Sequence, residues 1–536
     1  MNSTITDLDE PPKNGKLSFI THYKDELHLF AFLLIYLATW TLLMAWLPLS
    51  MNADDIEQVV WSRTWQWGYY KHPPLPSLLM YGLSHLFGGP SKGLTAFAAQ
   101  GCDVVALIYV WLLAKQLLPR KLAIVAVLIT SLISYYSFRA VIFNHNTVSF
   151  PFTAALLYYF YCAIQRPERL LTWLLLGIAG GLAMLTKYSA ILVLASFILY
   201  VIWQQLWKNP LVIRGLLVSI VVFSLVFSPN IIWLVEHDWL PFHYLNHQLT
   251  VSDGNRLKLF GSFLGNLSVR WWYTLLAVLF LAKISRETVD TQVLSIGNNL
   301  MTASPQSYAN PNNLNNDRRF LLAMLFMPLT LAMLPMLFNG NALNSNWISA
   351  FFFPAGILLI HCFFRHYDET RLLQNTSRLV WGIQIVILLV FVIGGMIYPA
   401  QVGRKARTNY PSQQLAETVS AIWREHQYQP LTIVIADNWL GGNVLLHTRP
   451  EPLVLIDNNT TISPWLNRQD VAVCGALVLT TVADKATPAY ADLFSTAVAT
   501  GTFSLIWGRA PQGEVMNYAW AILPPEPNAI CRFHVD

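Results

Sequence analysis

Charge is what this chain has least of. Only 12% of its 536 residues are Asp, Glu, Lys or Arg, against 54% hydrophobic, and a soluble domain carries about 25% charged residues. That scarcity excludes a chain solvated on all sides. The formal charge of +5 is too small for this length to build a face for nucleic acid. Cysteine is sparse: Cys102, Cys162, Cys362, Cys474 and Cys531 are scattered, with no Cys-x-x-Cys and no His-Glu-x-x-His, so no standard metal signature is present. Cys102, Cys162 and Cys362 fall in or near apolar runs and read as small buried thiols. Cys474 and Cys531 lie in the tail and are free to pair if that tail faces an oxidising compartment. There is no internal repeat, which counts against an inverted-repeat transporter.

Long apolar runs are what the chain does have. Segments of roughly 17–25 apolar residues define membrane-crossing helices. Eleven are expected, near 27–49, 93–118, 121–138, 147–164, 170–186, 189–207, 211–235, 262–283, 320–338, 347–364 and 378–398. With the N-terminus in the cytoplasm, the inner segments hold sixteen Lys and Arg residues and the outer loops seven. The positive-inside rule therefore favours that orientation. An odd number of crossings then puts everything after about residue 399 outside. The first 26 residues are polar and show no cleavage-type signal, so the first apolar run is expected to stay as an anchor. Residues 287–317, rich in Asn, Ser and Pro, read as a cytoplasmic linker.

The tail, 399–536, is different in character. LTIVIAD (431–437), EPLVLID (451–457), CGALVLTT (474–481) and TFSLIWG (502–508) read as strands, and 412–426 as a helix. The expected architecture is a multi-span α-helical membrane protein with a cytoplasmic tail (1–26), a transmembrane unit (27–398) and a small C-terminal α/β domain (399–536).

Residues able to do chemistry gather on the outer loops. Asp54, Asp55 and Glu57 fall within four positions, followed by Trp61, Trp65, Trp67, Tyr69 and Tyr70, then Lys71-His72 and Pro73-Pro74. Carboxylates beside a membrane are costly unless solvated or used. One acid would serve to cap a helix, with Asp54 at the N-cap and Glu57 in the first turn, but capping does not require three. An aromatic belt explains the rings but not Lys71 and His72, which can meet a lipid phosphate. Lys187-Tyr188 sits in a tight outer turn, where a snorkelling lysine or a phosphate donor fits equally. Glu236, His237 and Asp238 follow the seventh crossing, and Arg139 and His145 lie in another short outer segment. His243 and His247 have metal-ligand spacing but no evident third ligand.

Three ordered motifs resemble those of the GT-C membrane glycosyltransferases. The nearest branch is the bacterial one that includes relatives of protein O-mannosyltransferases, lipid A aminoarabinose transferases and lipopolysaccharide-core galacturonosyltransferases. The first motif is Asp54-Asp55-Ile56-Glu57-Gln58, then Trp61-Ser62-Arg63, then Gly68-Tyr69-Tyr70-Lys71-His72-Pro73-Pro74-Leu75. The second is Gly181-Leu182-Ala183-Met184-Leu185-Thr186-Lys187-Tyr188. Pro229-Asn230-Ile231-Ile232-Trp233 and Glu236-His237-Asp238-Trp239 form the third. The resemblance covers roughly residues 27–260. Where the aminoarabinose branch has Glu-Lys before Pro-Pro, this chain has Lys71-His72, one carboxylate fewer.

The resemblance implies transfer of a sugar, with inversion, from a polyprenyl-phosphate-linked donor to an envelope acceptor (lipid A, lipopolysaccharide core, another glycan or a protein). It would occur at the outer face of a bacterial inner membrane, with membrane lipids around the protein. A carboxylate would deprotonate the acceptor hydroxyl; either Asp54 or Asp55 holds that place, with Asp54 preferred and Glu57 supporting. Fixed cations would stabilise the departing phosphate, Lys187 first, helped by Lys71, His72 or Arg139. Tyr69, Tyr70, Tyr188, Glu236, His237 and Asp238 are expected to contact substrate. The resemblance names no definite cofactor, and a divalent metal ion stays open. The rival expectation is a transporter or flippase of lipid-linked sugars.

Overall fold

The computed structural model describes residues 24–248, 256–295, 311–508, 510, 513–527 and 529–533. Residues 1–23 of the expected tail and 296–310 of the expected linker lie outside the described residues. The helical part runs α1 (Lys24–Trp46), α2 (Ala53–Trp61), α3 (Leu75–Phe87), α4 (Lys92–Leu117), α5 (Arg120–Thr130), α6 (His145–Gln165), α7 (Leu170–Thr186), α8 (Ala190–Trp203), α9 (Pro210–Glu236), α10 (Leu240–Gln248), α11 (Arg256–Ser295), α12 (Pro311–Asn339), α13 (Phe353–Phe363) and α14 (Glu369–Val392). Among the described residues, eight helical segments are long and apolar enough to cross a membrane. The other three expected crossings correspond to α5, α7 and α8, which are shorter.

The expected 121–138 crossing is helical only as far as Thr130. There the hydroxyls of Thr130 and Ser131 donate to the carbonyls of Ala126 and Leu128, and such back-bonding competes with helix propagation. The chain turns through a short 3-10 segment, Ser134–Tyr136, buried inside the bundle.

Close helix contact sets the height of the α7–α8 turn. Gly177 and Gly181 share one face of α7, where a Cβ would come within 2.5 Å of the Ser219 carbonyl and 2.6 Å of Val226 on α9. Small residues four apart let membrane helices approach this closely. That contact seats the C-terminal end of α7, which carries Lys187 as its cap residue.

The tail folds as α15 (Ser412–His426), β1 (Ile433–Ala436), α16 (Asn438–His447), β2 (Leu453–Ile456), α17 (Arg468–Cys474), β3 (Ala476–Thr481), α18 (Ala491–Thr496), β4 (Ala499–Ile506) and β5 (Val515–Leu523). The sheet order is β2-β1-β3-β5-β4; β1 pairs in parallel with β2 and β3, and β5 runs antiparallel to its neighbours. All four expected strands are present, and β5 is an addition: VMNYAWAIL lacks a strict alternation that would mark it. Asp437 caps α16 by accepting from the Leu440 amide at 2.8 Å, while Asp457 sits in a left-handed turn at φ 49°. Cys474 and Cys531 are disulfide-bonded, with Cα atoms 4.8 Å apart.

The sheet domain is packed onto α2. Ile56, Val59 and Val60 are buried in one cluster with Leu445, Leu446 and the strand residues Ile433 and Ile435, each such side chain contributing at most ~1.5–3 kcal/mol. Ser50 Oγ donates to Asn443 Oδ1 at 2.6 Å across the same junction. A Cβ on Gly442 would lie 2.3 Å from Ile56 Cγ2 and 2.9 Å from Val60 Cγ2. Gly442→Val is therefore expected to cost about 1–3 kcal/mol by overpacking and to loosen α2. Faster limited proteolysis after residue 401 would register it; an unchanged cleavage pattern would contradict the tight docking.

Candidate functional site

The first turn of α2 is assembled by its acids, and the capping arrangement differs from the sequence expectation. Asn52, not Asp54, precedes the helix, and Asp55 is the acid that closes it. Asp55 Oδ2 accepts from the Asn52 backbone and side-chain amides at 3.0 and 3.1 Å, and Oδ1 accepts from the Phe143 amide at 2.6 Å. Asp55 is only 2% exposed. Burial pushes its carboxyl up to about 7, against those three hydrogen bonds and with a small upward push from Asp54. It fastens α2 to the segment leading into α6.

With Asp55 turned inward, Asp54 is exposed on the opposite side and accepts from Asn144 Nδ2 at 2.8 Å. One helical turn further on, Glu57 pairs with Lys71 at 2.5 Å and receives a longer contact from Asn438 of the tail at 3.4 Å. Burial raises the Glu57 carboxyl above its usual range, and Lys71 opposes the rise. For Lys71 burial works downward, but the Glu57 charge and Tyr70 outweigh it, leaving the ammonium firmly charged. Lys71 also lies over the rings of Tyr70 and Tyr244.

Asp54, Glu57, His72 and Lys187 line one cavity of about 210 Å³. Asn144, His145 and Asn146, at the start of α6, form another wall, and Asn344, Asn346 and Trp347 complete it. Lys187 Nζ donates to Asn146 Oδ1 at 2.5 Å and to the Trp347 carbonyl at 3.1 Å. Asn144 holds the acid and Asn146, two residues later, holds the amine. Burial lowers the Lys187 pKa to about 7. His72 is held down to about 3, by burial first and then by Lys187 and Lys71, so its ring is neutral. The cavity thus pairs an acid that has no ion-pair partner among the described residues with a titratable amine.

The remaining expected contacts stand outside the cavity wall. Arg139 donates to Asn346 Oδ1 at 3.2 Å, one residue removed. Tyr69 is 1% exposed, its ring stacked on Trp61 and its hydroxyl donating to the Trp61 carbonyl. Tyr70 packs edge-on to Trp61 and Tyr244. Glu236, the last residue of α9, and Asp238 just beyond it are exposed, and His237 stacks on Trp233. The side chain of His247 lies outside the described residues. No group of three or more His, Cys, Asp or Glu side chains converges as metal ligands among the described residues.

Asn230 ties the three sequence motifs together. It is fully buried on α9, its Nδ2 donating to the Trp67 carbonyl at 2.6 Å and its Oδ1 accepting from the Tyr188 hydroxyl at 3.1 Å. Trp233, one turn on, presses against Gly68 so closely that a Cβ there would fall 2.2 Å from its ring. Tyr188 thereby serves to brace the Lys187 turn. Asn230→Ala removes both bonds and is expected to cost about 1–3 kcal/mol per stranded group, seen as a lower melting temperature in detergent; an unchanged melt would show that the two loops hold position without it.

A protein-family model described as dolichyl-phosphate-mannose-protein mannosyltransferase matches residues 71–233. The lipopolysaccharide core galacturonosyltransferase RgtA of Rhizobium johnstonii is 22% identical over 502 residues, which span 88% of this chain and 93% of that protein. The apo structure of ArnT from Cupriavidus metallidurans superposes with a TM-score of 0.53 at 13% identity, covering 94% of this chain and 98% of that one. Its undecaprenyl phosphate-bound structure gives 0.48 at 12% identity, over 93% and 98%. With an ArnT-like fold along nearly its whole length, a segment that matches the mannosyltransferase model and a relative aligned almost end to end, the chain has the multi-span helical fold of the GT-C membrane glycosyltransferases.

Proposed function

We propose that this enzyme moves a sugar from a polyprenyl-phosphate carrier to a hydroxyl of an envelope lipid, glycan or protein, inverting the anomeric centre, on the extracytoplasmic face of a bacterial inner membrane. The observation that carries the reading is that Asp54 and Lys187 line one cavity and are held there by Asn144 and Asn146. In the proposed step Asp54 takes the proton of the acceptor hydroxyl as its oxygen bonds to the anomeric carbon. The bond from that carbon to the phosphate oxygen breaks on the far side, and its electron pair stays on the phosphate. Lys187 stabilises the charge released there. Glu57, neutralised by Lys71, shapes the wall beside Asp54, and Asp55 fixes the helix that carries it.

Two observations support the orientation. Lys and Arg are concentrated on the opposite set of loops, and the tail carries a disulfide, a bond that persists in oxidising compartments. The cavity lies at helix ends rather than in broken helices at the bilayer midplane, which argues against the transporter reading. RgtA is a lipopolysaccharide core galacturonosyltransferase, so a lipopolysaccharide acceptor and a uronosyl donor are the first pairing to examine. Mass spectrometry of envelope glycolipids from cells with the chain, without it, and with Asp54→Asn tests the proposal. A sugar-sized increment present only with the parent chain is expected; identical profiles in all three would overturn it.

A further inference from the structure

His145 is a wall residue of the cavity that the proposed transfer step leaves unused. Its side chain is 4% exposed, and Nε2 has no hydrogen-bond partner among the described residues. The Pro73 carbonyl faces the ring as a hydrogen-bond acceptor, and with Nε2 unpartnered the ring proton is assigned to Nδ1. A neutral imidazole carries one N–H, so Nε2 presents a lone pair. The ring cannot readily turn away, because it lies 3.7 Å from His72, centroid to centroid, and packs edge-on to Trp61. An unpaired buried acceptor costs about 1–3 kcal/mol, so a ligand donor at this atom has a physical warrant.

The surroundings narrow that ligand. His145 stands between Asn144, which holds Asp54, and Asn146, which holds Lys187. A lone pair repels phosphate oxygens and attracts an O–H. Asp54 is exposed at the mouth, where an acceptor would enter, whereas His145 is enclosed. We infer that His145 Nε2 accepts a hydrogen bond from a hydroxyl of the sugar on the donor, making it a residue that distinguishes a sugar-bearing carrier from a bare one. This rests on the donor reading proposed above and adds the sugar contact to it.

The test compares the full-length parent, His145→Ala and His145→Gln by native mass spectrometry in detergent at a single pH. The probes are bare undecaprenyl phosphate and undecaprenyl phosphate carrying glucose, mannose, galacturonate or aminoarabinose. The parent is expected to prefer at least one sugar-bearing lipid over the bare one by about tenfold. His145→Ala should erase that preference while binding bare lipid like the parent, and His145→Gln, whose amide oxygen can reach the same place, should restore most of it. A preference that survives in His145→Ala, a parent with no preference for any of the four, or loss of bare-lipid binding in step with it would each overturn the assignment. A parent that captures neither class of lipid would instead remove the donor reading, and this assignment with it.

Discussion

Asp54→Asn is expected to lower sugar transfer by about 10²–10⁴-fold, the range for loss of a positioned general base, while the protein folds and still binds its donor. Two features separate the chemical from the structural effect. Asp54 is exposed, and its one side-chain bond among the described residues, from Asn144 Nδ2, can be accepted equally well by an amide oxygen. Asp55 predicts the reverse. Replacing it by Ala strands the buried Phe143 amide and the two Asn52 donors, at about 1–3 kcal/mol for a buried unpaired group. The Asp55 variant should therefore melt earlier, and its activity loss should follow the lost fold. Transfer rates and thermal melts of both variants in one detergent preparation decide the matter. Full transfer by Asp54→Asn would remove the base assignment, and an equally early melt in both variants would make Asp54 structural.

Much of this site was legible because charge beside lipid is rare. Asp54, Glu57, His72 and Lys187 stand out in a chain so poor in charge, and the structure gathers them round one cavity. The two adjacent acids could not be told apart in the sequence. Their roles follow from a helix that starts at Ala53, which turns Asp55 inward and Asp54 outward. In the sequence Tyr69 reads as part of an aromatic belt or as a substrate contact, yet it is core, since a ring suited to the headgroup region suits a stacked interior equally well. The amides were hidden for another reason. Asn144, Asn146, Asn344 and Asn346 carry no charge to mark them, and the Asn344–Trp347 stretch reaches Lys187 from 160 positions along the chain. On the fold side, the membrane spans and four strands followed from apolar runs, whereas the early end of α5 depended on hydroxyls that bond back to their own helix.

Donor affinity should fall as pH rises through neutrality, and Lys187 is the reason. Burial holds its pKa near 7, so the free enzyme carries the ammonium below that pH and the neutral amine above it. Two of the three N–H directions go to Asn146 and the Trp347 carbonyl, leaving the third for a phosphate oxygen. The phosphodiester of a sugar-bearing carrier stays singly charged across the range, whereas a bare monoester titrates itself, with a second pKa about 6; the diester is the correct probe. Above about pH 7, binding must bring in a proton, and affinity drops by about tenfold per pH unit until the pKa of the bound state is reached. His72, held near 3, stays neutral throughout; Asp55, pushed up to about 7, titrates in the same window but is not part of the cavity wall, so Asp55→Asn should leave the slope in place. Lys187→Arg keeps its charge and should flatten the profile. Lys187→Ala should weaken binding by about 10–100-fold at low pH, in line with the ~1.5–3 kcal/mol of a charged hydrogen bond, and should also lose the slope. Equilibrium binding of a labelled polyprenyl-phosphate sugar between pH 6 and pH 9 reads all three curves. A parent affinity that does not change over that range, or a slope that persists in Lys187→Ala, would place the donor phosphate on another cation, with Arg139 next to be replaced because it bonds the wall residue Asn346.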